Sequence, residues 1–265
     1  MTATVNINKG AFFEMVMAAF EAYAVKHHGK HIVALETHAQ LWGKVNKTLP
    51  FKCSVDHFSI DSSAKQERGG VTPEPLSLTI KKDIAQAFGE DFSHLGTYHT
   101  HPYLRKTEVA TTNCIRREKL YDFSAGDHLC EVGEASITVG KKLYSVALVM
   151  TIYAAEKADD RKDGPIDAGL VEFSLGNVKL WLKAQVYQHI ETETLTEADW
   201  RKMDIYKLIS HKKLPSEAEM VPLPIETDLQ CDIDFFMEKF GRLKISSRKS
   251  EYESSETAES RWFTY

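Results

Sequence analysis

The spacing of apolar residues divides the beginning of the chain into strands and a helix. Residues 4–7 predict a short extended segment that ends at Asn8, a residue type that favours helix starts. From residue 11 to about residue 27, apolar side chains recur at intervals of three and four, which predicts an amphipathic helix closed by Gly29. The apolar run at residues 31–35 predicts a strand that is buried on both faces.

Further strands and one helix follow in the middle of the chain. A polar segment at residues 61–72 predicts a loop, after which Thr72-Pro73 opens a helix that Gly89 closes. Alternating or β-branched runs predict strands at residues 51–60, 94–101 and 143–154.

A hairpin is predicted next, from two strand-like runs at residues 170–175 and 178–188. They are separated by Gly176-Asn177, a dipeptide that suits a tight turn. Strands and helices are therefore mixed along residues 1–190, which predicts one α/β (α+β) domain with a mixed, curved β-sheet flanked by helices.

After residue 190 the pattern becomes charged and helical. Helices are predicted at residues 196–210 and 234–243, with a proline-containing connector at residues 214–224 between them. The last segment, residues 246–260, is rich in Ser and Glu and is expected to be mobile. We therefore predict a helical C-terminal extension over residues 191–265.

Composition and charge are those of an ordinary globular protein and exclude several function classes. The 265 residues are 43% hydrophobic and 27% charged. The net charge of −5, without a basic cluster that alternates with aromatic residues, argues against a nucleic-acid partner. The apolar run near the N-terminus contains Glu14 and is shorter than the roughly 20 residues that span a bilayer. We therefore expect no membrane contact. The four cysteines form no CxxC pair, so we expect no zinc ribbon. Four thiols in a chain of this size are typical of a reducing compartment, so we expect a cytoplasmic location.

The most informative motif is GTYHTHP at residues 96–102. Side chains two positions apart on a strand point to the same face, so His99 and His101 can bind one metal ion. Taken alone the pair is not decisive, because the chain has 11 histidines and such spacings arise by chance. The nearby His38, His94 and His128 are expected to be supporting or surface groups.

Two acidic residues elsewhere complete a candidate site. Asp127 lies three residues after Ser124, which suits a carboxylate ligand beside a hydroxyl donor but is also typical of a plain helix cap. Glu36 follows the predicted apolar strand, either as a surface charge at the strand end or as a base. A catalytic zinc needs three protein ligands, a separate carboxylate to move protons and a donor for the oxyanion. The five residues supply all of these groups.

These motifs resemble those of the JAB/MPN (JAMM) metalloprotease family, especially its prokaryotic (Prok-JAB) members. Residues 99–102 (HTHP) are similar to the family's His-Ser/Thr-His-Pro, and residues 124–127 to its Ser-x-x-Asp. Residues 36–43 resemble its glutamate-bearing strand. The order of the motifs also agrees, and the resemblance covers roughly residues 5–188.

The resemblance implies a fold, a reaction and a set of roles. The fold would be the family's cytidine-deaminase-like architecture. His99, His101 and Asp127 would bind Zn²⁺, Glu36 would be the general acid/base, and Ser124 would hydrogen-bond the tetrahedral intermediate. The implied activity is that of a metallopeptidase or isopeptidase acting on a protein or peptide substrate, such as a ubiquitin-like protein. Sulfur-carrier processing, phage tail processing and antiviral conjugation fit the same site, so the sequence does not name the substrate.

Several alternatives stay open at this level. Residues 103–123 form an insertion, since the family has only a short spacer there; its helix-like stretch at residues 112–120 is either a substrate clamp or a surface excursion. The insertion also leaves Asp122 as the alternative to Asp127. A non-catalytic MPN-type scaffold, which binds a partner protein or self-associates through the C-terminal helices, is the alternative function. The HxE and PCxxC pattern of zinc deaminases is absent.

Overall fold

A computed structural model describes residues 2–25, 33–89, 92–202 and 220–231, which form a mixed α/β fold with a curled, mostly β sheet flanked by helices. The helices are α1 (Lys9–Ala24), α2 (Pro75–Phe88), α3 (Thr112–Glu118), α4 (Ala125–Cys130) and α5 (Glu197–Lys202). The strands are β1 (Ala3–Ile7), β2 (His38–Val45), β3 (Lys52–Ile60), β4 (Lys65–Glu67), β5 (Gly70–Thr72), β6 (Ser93–Tyr103), β7 (Ile137–Val139), β8 (Lys142–Ala154), β9 (Gly164–Asp167), β10 (Leu170–Leu175), β11 (Val178–Glu191), β12 (Met220–Ile225) and β13 (Thr227–Cys231).

Within the described residues the main sheet has 11 strands, in the order β13-β1-β3-β2-β6-β8-β11-β10-β9, with β12 paired to β11 and β7 to β8. Strand β2 runs antiparallel to β3 and β6, whereas β6 and β8 are parallel. The β4–β5 hairpin forms a separate small sheet. The strand that carries the HTHP motif, β6, is therefore central and has partners on both sides.

Helix α1 covers one face of the sheet and forms much of the hydrophobic core. Asn8 caps the helix, as predicted, by accepting a hydrogen bond from the Ala11 amide at 2.8 Å. Met15 and Tyr23 on this helix are fully buried, and the Tyr98 hydroxyl of β6 donates to the Met15 carbonyl at 3.1 Å. Because burying such a side chain contributes about 1.5–3 kcal/mol, α1 fixes the inner face of the sheet.

The candidate site lies on the opposite face. Successive side chains of a strand point to opposite sides, so Tyr98, which faces α1, puts His99 and His101 on the other side. On that side the insertion covers part of the sheet, since its Ile115 packs in one cluster with Trp181 of β11.

Most of the predicted strands are confirmed. They include β3, β8 and the β10–β11 hairpin, whose turn residue Gly176 has a φ of 62°, in the left-handed region that favours glycine. Helix α2 begins at Pro75, slightly later than predicted, and ends before Gly89. The predicted loop at residues 61–72 contains the small β4–β5 hairpin.

Strand β6 does not stop before Pro102 but continues to Tyr103. Proline has no amide hydrogen to donate to a ladder, so it is tolerated only where a strand is paired on one side. The β2 ladder ends at the His38–His99 pair, and beyond it β6 is paired in the described residues only with β8. Pro102 therefore lies in the part of β6 that is paired on one side only.

The predicted strand at residues 31–35 is wrong where the structure describes it. Residues 33–37 are irregular, and β2 begins only at His38, so Glu36 precedes that strand instead of following one. The amides of Ala34 and Leu35 donate to the carbonyls of Tyr23 and Ala22, both at 3.0 Å. These bonds to the end of α1 satisfy the backbone without a ladder. Residues 31 and 32, and the predicted stop at Gly29, lie outside the described residues.

The predicted helical C-terminal extension contains the short helix α5, but it is wrong for residues 220–231, which form strands. Strand β12 pairs with β11, and β13 runs parallel to β1, so both belong to the main sheet. The described part of the predicted connector, residues 220–224, thus lies in a strand, and its Pro222 and Pro224 lie opposite His189 and Tyr187. Among the described residues this strand has one partner strand, which tolerates proline. The predicted helix at residues 234–243 and the tail at residues 246–260 lie outside the described residues. The predicted boundary of the first domain at residue 190 stays a prediction.

Helix α2 keeps its apolar side chains largely exposed. Leu76, Ile80, Ile84 and Phe88 are 61%, 51%, 53% and 71% exposed. Their regular spacing of four places them on one face, so the helix carries an apolar stripe. Within the described ranges, no helix is both long and apolar enough to span a bilayer.

Candidate metal centre

The two histidines of the HTHP motif face each other closely. His99 Nε2 and His101 Nε2 are 3.1 Å apart, and both side chains are nearly buried, at 12% and 11% exposure. The backbone causes this proximity, because residues two apart on β6 share a face. The sequence-based pairing of these residues is therefore present in the fold.

Asp127 reaches the histidine pair from helix α4. Its Oδ1 lies 3.4 Å from His99 Nε2, and its Oδ2 lies 3.3 Å from His101 Nε2. The possible ligand atoms of the three residues all lie within 4.8 Å of one another. The other candidate, Asp122, forms an ion pair with Lys183 and is not part of this group.

The spacing of the three residues suits a tetrahedral metal site. Zinc binds imidazole nitrogen and carboxylate oxygen at about 2.0–2.2 Å, so neighbouring ligand atoms of a tetrahedron lie about 3.3–3.6 Å apart. The observed separations of 3.1, 3.3 and 3.4 Å are close to this range. All three separations are longer than the about 2.7–2.9 Å that is expected for charge-assisted hydrogen bonds. The residues present therefore fit a divalent cation that binds nitrogen and oxygen.

Ser124 holds the Asp127 carboxylate in place. It is the N-cap of α4, and its hydroxyl accepts a hydrogen bond from the Asp127 amide at 3.1 Å. In return the Ser124 amide donates to Asp127 Oδ2 at 2.6 Å, which completes a capping box. The plain helix cap and the ligand role are thus compatible, and the exposed hydroxyl can still donate its own hydrogen.

Glu36 is positioned through its neighbour. The Thr37 amide donates to the Thr100 hydroxyl at 2.9 Å, and the Thr100 amide donates to the Thr37 carbonyl at 3.1 Å. The amide of Glu36 itself donates to the Glu67 carbonyl at 2.9 Å. Since Thr100 lies between the two histidines, these bonds hold Glu36 at the edge of the candidate site.

The environment of Glu36 suits a proton acceptor and donor. Burial raises the pKa of its carboxyl to about 7, with His101 lowering it and Asp127 raising it further. A carboxyl with a pKa near neutrality can take up and release a proton under physiological conditions.

The three clustered residues shift one another's ionisation. Burial opposes charge on Asp127, but hydrogen bonds to His101 and His99 outweigh it and hold the pKa of that carboxyl far below its usual range. Burial lowers the pKa of His99 in spite of Asp127. For His101 burial also acts downward, yet Asp127 and Glu36 leave its pKa raised. The site thus combines an ionised carboxylate with one histidine that favours the neutral form that metals require.

A buried polar network beside the site was not foreseen. His38 Nδ1 lies 2.6 Å from Asp61 Oδ2, which also accepts from Gln40 Nε2 at 2.8 Å. His94 Nε2 lies 2.9 Å from Gln40 Oε1. Burial acts against the charge of Asp61, but its bonds to His38, Lys81 and Gln40 lower the pKa to about 2. A histidine on β2 and an aspartate just after β3 give no sequence signal, because only the sheet brings them together.

The third nearby histidine has a buried partner. His128 Nδ1 lies 2.6 Å from the hydroxyl of Tyr187, which is itself fully buried on β11. Since His128 follows Asp127 directly, this bond ties α4 to the sheet. Cys130 is exposed and lies outside the candidate metal-binding group of the described residues.

Comparisons with known proteins add no further information. No protein-family model matches the chain, and no curated protein matches its sequence.

Proposed function

We propose that this chain is a zinc-dependent hydrolase of the JAB/MPN type that cleaves amide or isopeptide bonds. The proposal depends on one observation: three separate stretches of chain supply the clustered His99, His101 and Asp127 and, held beside them by the Thr37–Thr100 hydrogen bonds, Glu36. Their order, with the glutamate before β2, the HxH on β6 and the Ser-x-x-Asp on α4, is the order that the family resemblance implies. The MPN-type fold is part of the proposal.

The chemistry divides between the cation and the chain. A zinc ion held by His99, His101 and Asp127 would act as a Lewis acid and bring the pKa of water toward about 7. Glu36 would accept the proton of the attacking water and deliver it to the leaving amine. Its raised pKa supports both steps, because the group exchanges protons readily near neutral pH.

Ser124 would complete the site as a neutral donor. Its hydroxyl oxygen accepts from the Asp127 amide, which leaves the hydroxyl hydrogen available for the developing oxyanion. The side chain is exposed at the start of α4 and beside the carboxylate ligand. A donor in this position would stabilise the tetrahedral intermediate more than the substrate.

The substrate would be a protein or peptide, with a ubiquitin-like protein as the first class to test. This part of the proposal comes from the family resemblance. A cytoplasmic location belongs to the same proposal, and the described residues contain no disulfide bond, as is usual for proteins of reducing compartments.

The test combines metal analysis with a cleavage assay. The purified protein is saturated with zinc and dialysed, its metal content is measured, and it is then incubated with peptide libraries and ubiquitin-like fusions. We expect one zinc per chain and cleavage that Glu36→Gln lowers by at least about a hundredfold while it keeps the metal. Glu226→Gln is the matched control, because Glu226 is exposed next to β13, contacts the Thr2 hydroxyl and should not affect cleavage. Failure to retain zinc, or unchanged cleavage by Glu36→Gln, refutes the proposal.

A scaffold function is the second candidate, and the exposed stripe on α2 supports it. Four large apolar side chains on one helix face provide a surface that a partner protein can cover. This function predicts that Leu76→Lys and Ile84→Lys abolish a complex, whereas chelation leaves that complex intact. If these variants keep every complex that the unaltered chain forms, the scaffold function is wrong.

A further inference from the structure

The insertion at residues 103–123 is packed tightly on the sheet. Ile115, in the centre of α3, is 0% exposed and belongs to one apolar cluster with Tyr153 and Trp181. The Tyr121 ring stacks on Trp181 with their centroids 6.4 Å apart. This packing disagrees with a surface excursion, because a loose loop buries no central side chain.

A buried ionic network adds a second anchor. Arg116 of α3 donates two hydrogen bonds to Glu172, at 3.0 and 2.5 Å. Glu172 is 1% exposed, and it also contacts Lys179 at 2.7 Å and accepts from the Trp181 indole at 2.8 Å. Since buried charges need well-ordered partners, this network fixes the orientation of α3 on β10 and β11.

The end of the insertion turns back toward the candidate metal centre. Lys119 ends α3 in the left-handed region with a φ of 50°, and the Leu120 amide donates to the Ile115 carbonyl at 3.0 Å. The Leu120 carbonyl accepts from the hydroxyls of Tyr103 at 3.4 Å and Thr151 at 3.5 Å. Thr151 pairs with His101 in the β6–β8 ladder, so this carbonyl lies beside the second histidine.

The end of the insertion lies beside both histidines. His101 Nδ1 is buried without a hydrogen-bond partner among the described residues, and the Leu120 carbonyl, which accepts from the Thr151 hydroxyl beside this histidine, is the acceptor on that side. A metal-binding histidine normally donates its second N–H to such an acceptor, which fixes the ring and strengthens the ligand. The Phe123 ring meets the His99 ring edge-on, with centroids 6.1 Å apart.

We propose that the insertion is a positioning element of the metal centre, which holds Leu120 against His101 and Phe123 against His99 and thereby raises metal affinity. The inference rests on the proposed metal site. It assigns the residues that anchor the insertion, above all Ile115, a role in metal binding although they lie outside the metal-binding group. The mechanism is indirect: loosening α3 allows both imidazoles to rotate away from the geometry that one ion requires.

The experiment compares two matched pairs of variants. Ile115→Ala and the milder Ile115→Val loosen the insertion. Ile7→Ala and Ile7→Val remove the same atoms from a residue that is 1% exposed on β1, which β3 and β2 separate from β6. Zinc dissociation constants are measured by competition with a chromogenic chelator, and Co²⁺ absorption spectra report coordination geometry. Circular dichroism verifies that each variant is folded at the temperature used.

We expect Ile115→Ala to raise the zinc dissociation constant about 10- to 100-fold and Ile115→Val to raise it less. Both should alter the Co²⁺ spectrum, whereas the Ile7 variants should keep affinity within about threefold of the unaltered chain. Equal affinities in the Ile115 and Ile7 series, with zinc bound normally by the unaltered chain, refute the positioning role alone. Absence of zinc binding by the unaltered chain refutes the proposed function, and this inference with it.

Discussion

The bond between Thr37 and Thr100 is the link through which the fold positions Glu36. Thr100 is 1% and Thr37 is 2% exposed, and the Thr100 hydroxyl is the acceptor for the Thr37 amide at 2.9 Å. In Thr100→Val the side chain keeps its shape but loses the oxygen. The buried amide of Thr37 then has no acceptor at that position, and the residue that carries the candidate base is released on one side.

The expected cost has two parts. Leaving a buried donor unpaired lowers the free energy of unfolding by about 1–3 kcal/mol. Misplacing a catalytic group by about 1 Å can lower the rate on the order of a hundredfold, so we expect Thr100→Val to lower kcat about 10- to 100-fold. The metal ligands are on other residues, so zinc affinity should change much less than kcat.

Denaturant unfolding of the metal-free protein gives the first quantity, and single-turnover cleavage gives the second. Thr100→Ser is the matched control, because it keeps the oxygen and removes one methyl group, at a cost of about 1 kcal/mol. It should retain most of the activity. If Thr100→Val unfolds at the same denaturant concentration as the unaltered chain and cleaves at the same rate, the hydrogen bond does not position Glu36.

Three further predictions follow from the same contacts. Burial raises the pKa of Glu36 to about 7, so the folded state holds a proton that the unfolded state loses above about pH 4.5. The free energy of unfolding of the metal-free chain should therefore fall between about pH 4.5 and pH 7. It should fall less in Glu36→Gln. An equal fall in both would show that other groups cause it. Zinc at about 100 times its dissociation constant should stabilise the chain by about 2.7 kcal/mol in thermal unfolding. Asp127→Asn, which loses a charged ligand, should remove most of that stabilisation. If zinc stabilises the variant as much as the unaltered chain, Asp127 is not a ligand. Lys119→Gly should stabilise the chain by about 0.5–1 kcal/mol, since the left-handed φ of 50° is unfavourable for lysine. If denaturant unfolding shows a lower free energy of unfolding for the variant, the lysine side chain has a stabilising role of its own.

The sequence predicted those elements whose signals are local. The Asn8 cap, the Gly176-Asn177 turn and the β-branched run of β8 each depend on neighbouring residues, and each is present. The pairing of His99 with His101 is also local, because the alternation of a strand alone places both on one face. Their proximity to Asp127 is not local, and only the family resemblance predicted it.

The errors occur where long-range partners override local pattern. The apolar run that ends at Leu35 suits a strand, but the end of α1 satisfies its amides, so it remains irregular. Residues 220–224 contain two prolines and were predicted to belong to a connector, yet they pair with β11, and the following residues 227–231 pair with β1. In both cases the deciding partner is distant in sequence, and no local pattern identifies it.

The sequence by itself thus determined which residue types were available for chemistry and which short elements carry them. Only the tertiary structure decided that Thr100 holds Thr37, that Asp122 pairs with Lys183 instead of joining the histidines, and that the insertion packs on the sheet. The physical reason is that hydrogen bonds, burial and charge act over a few ångströms in space. Which residues come within that range depends on how the strands are ordered in the sheet, and single-residue preferences do not encode that order.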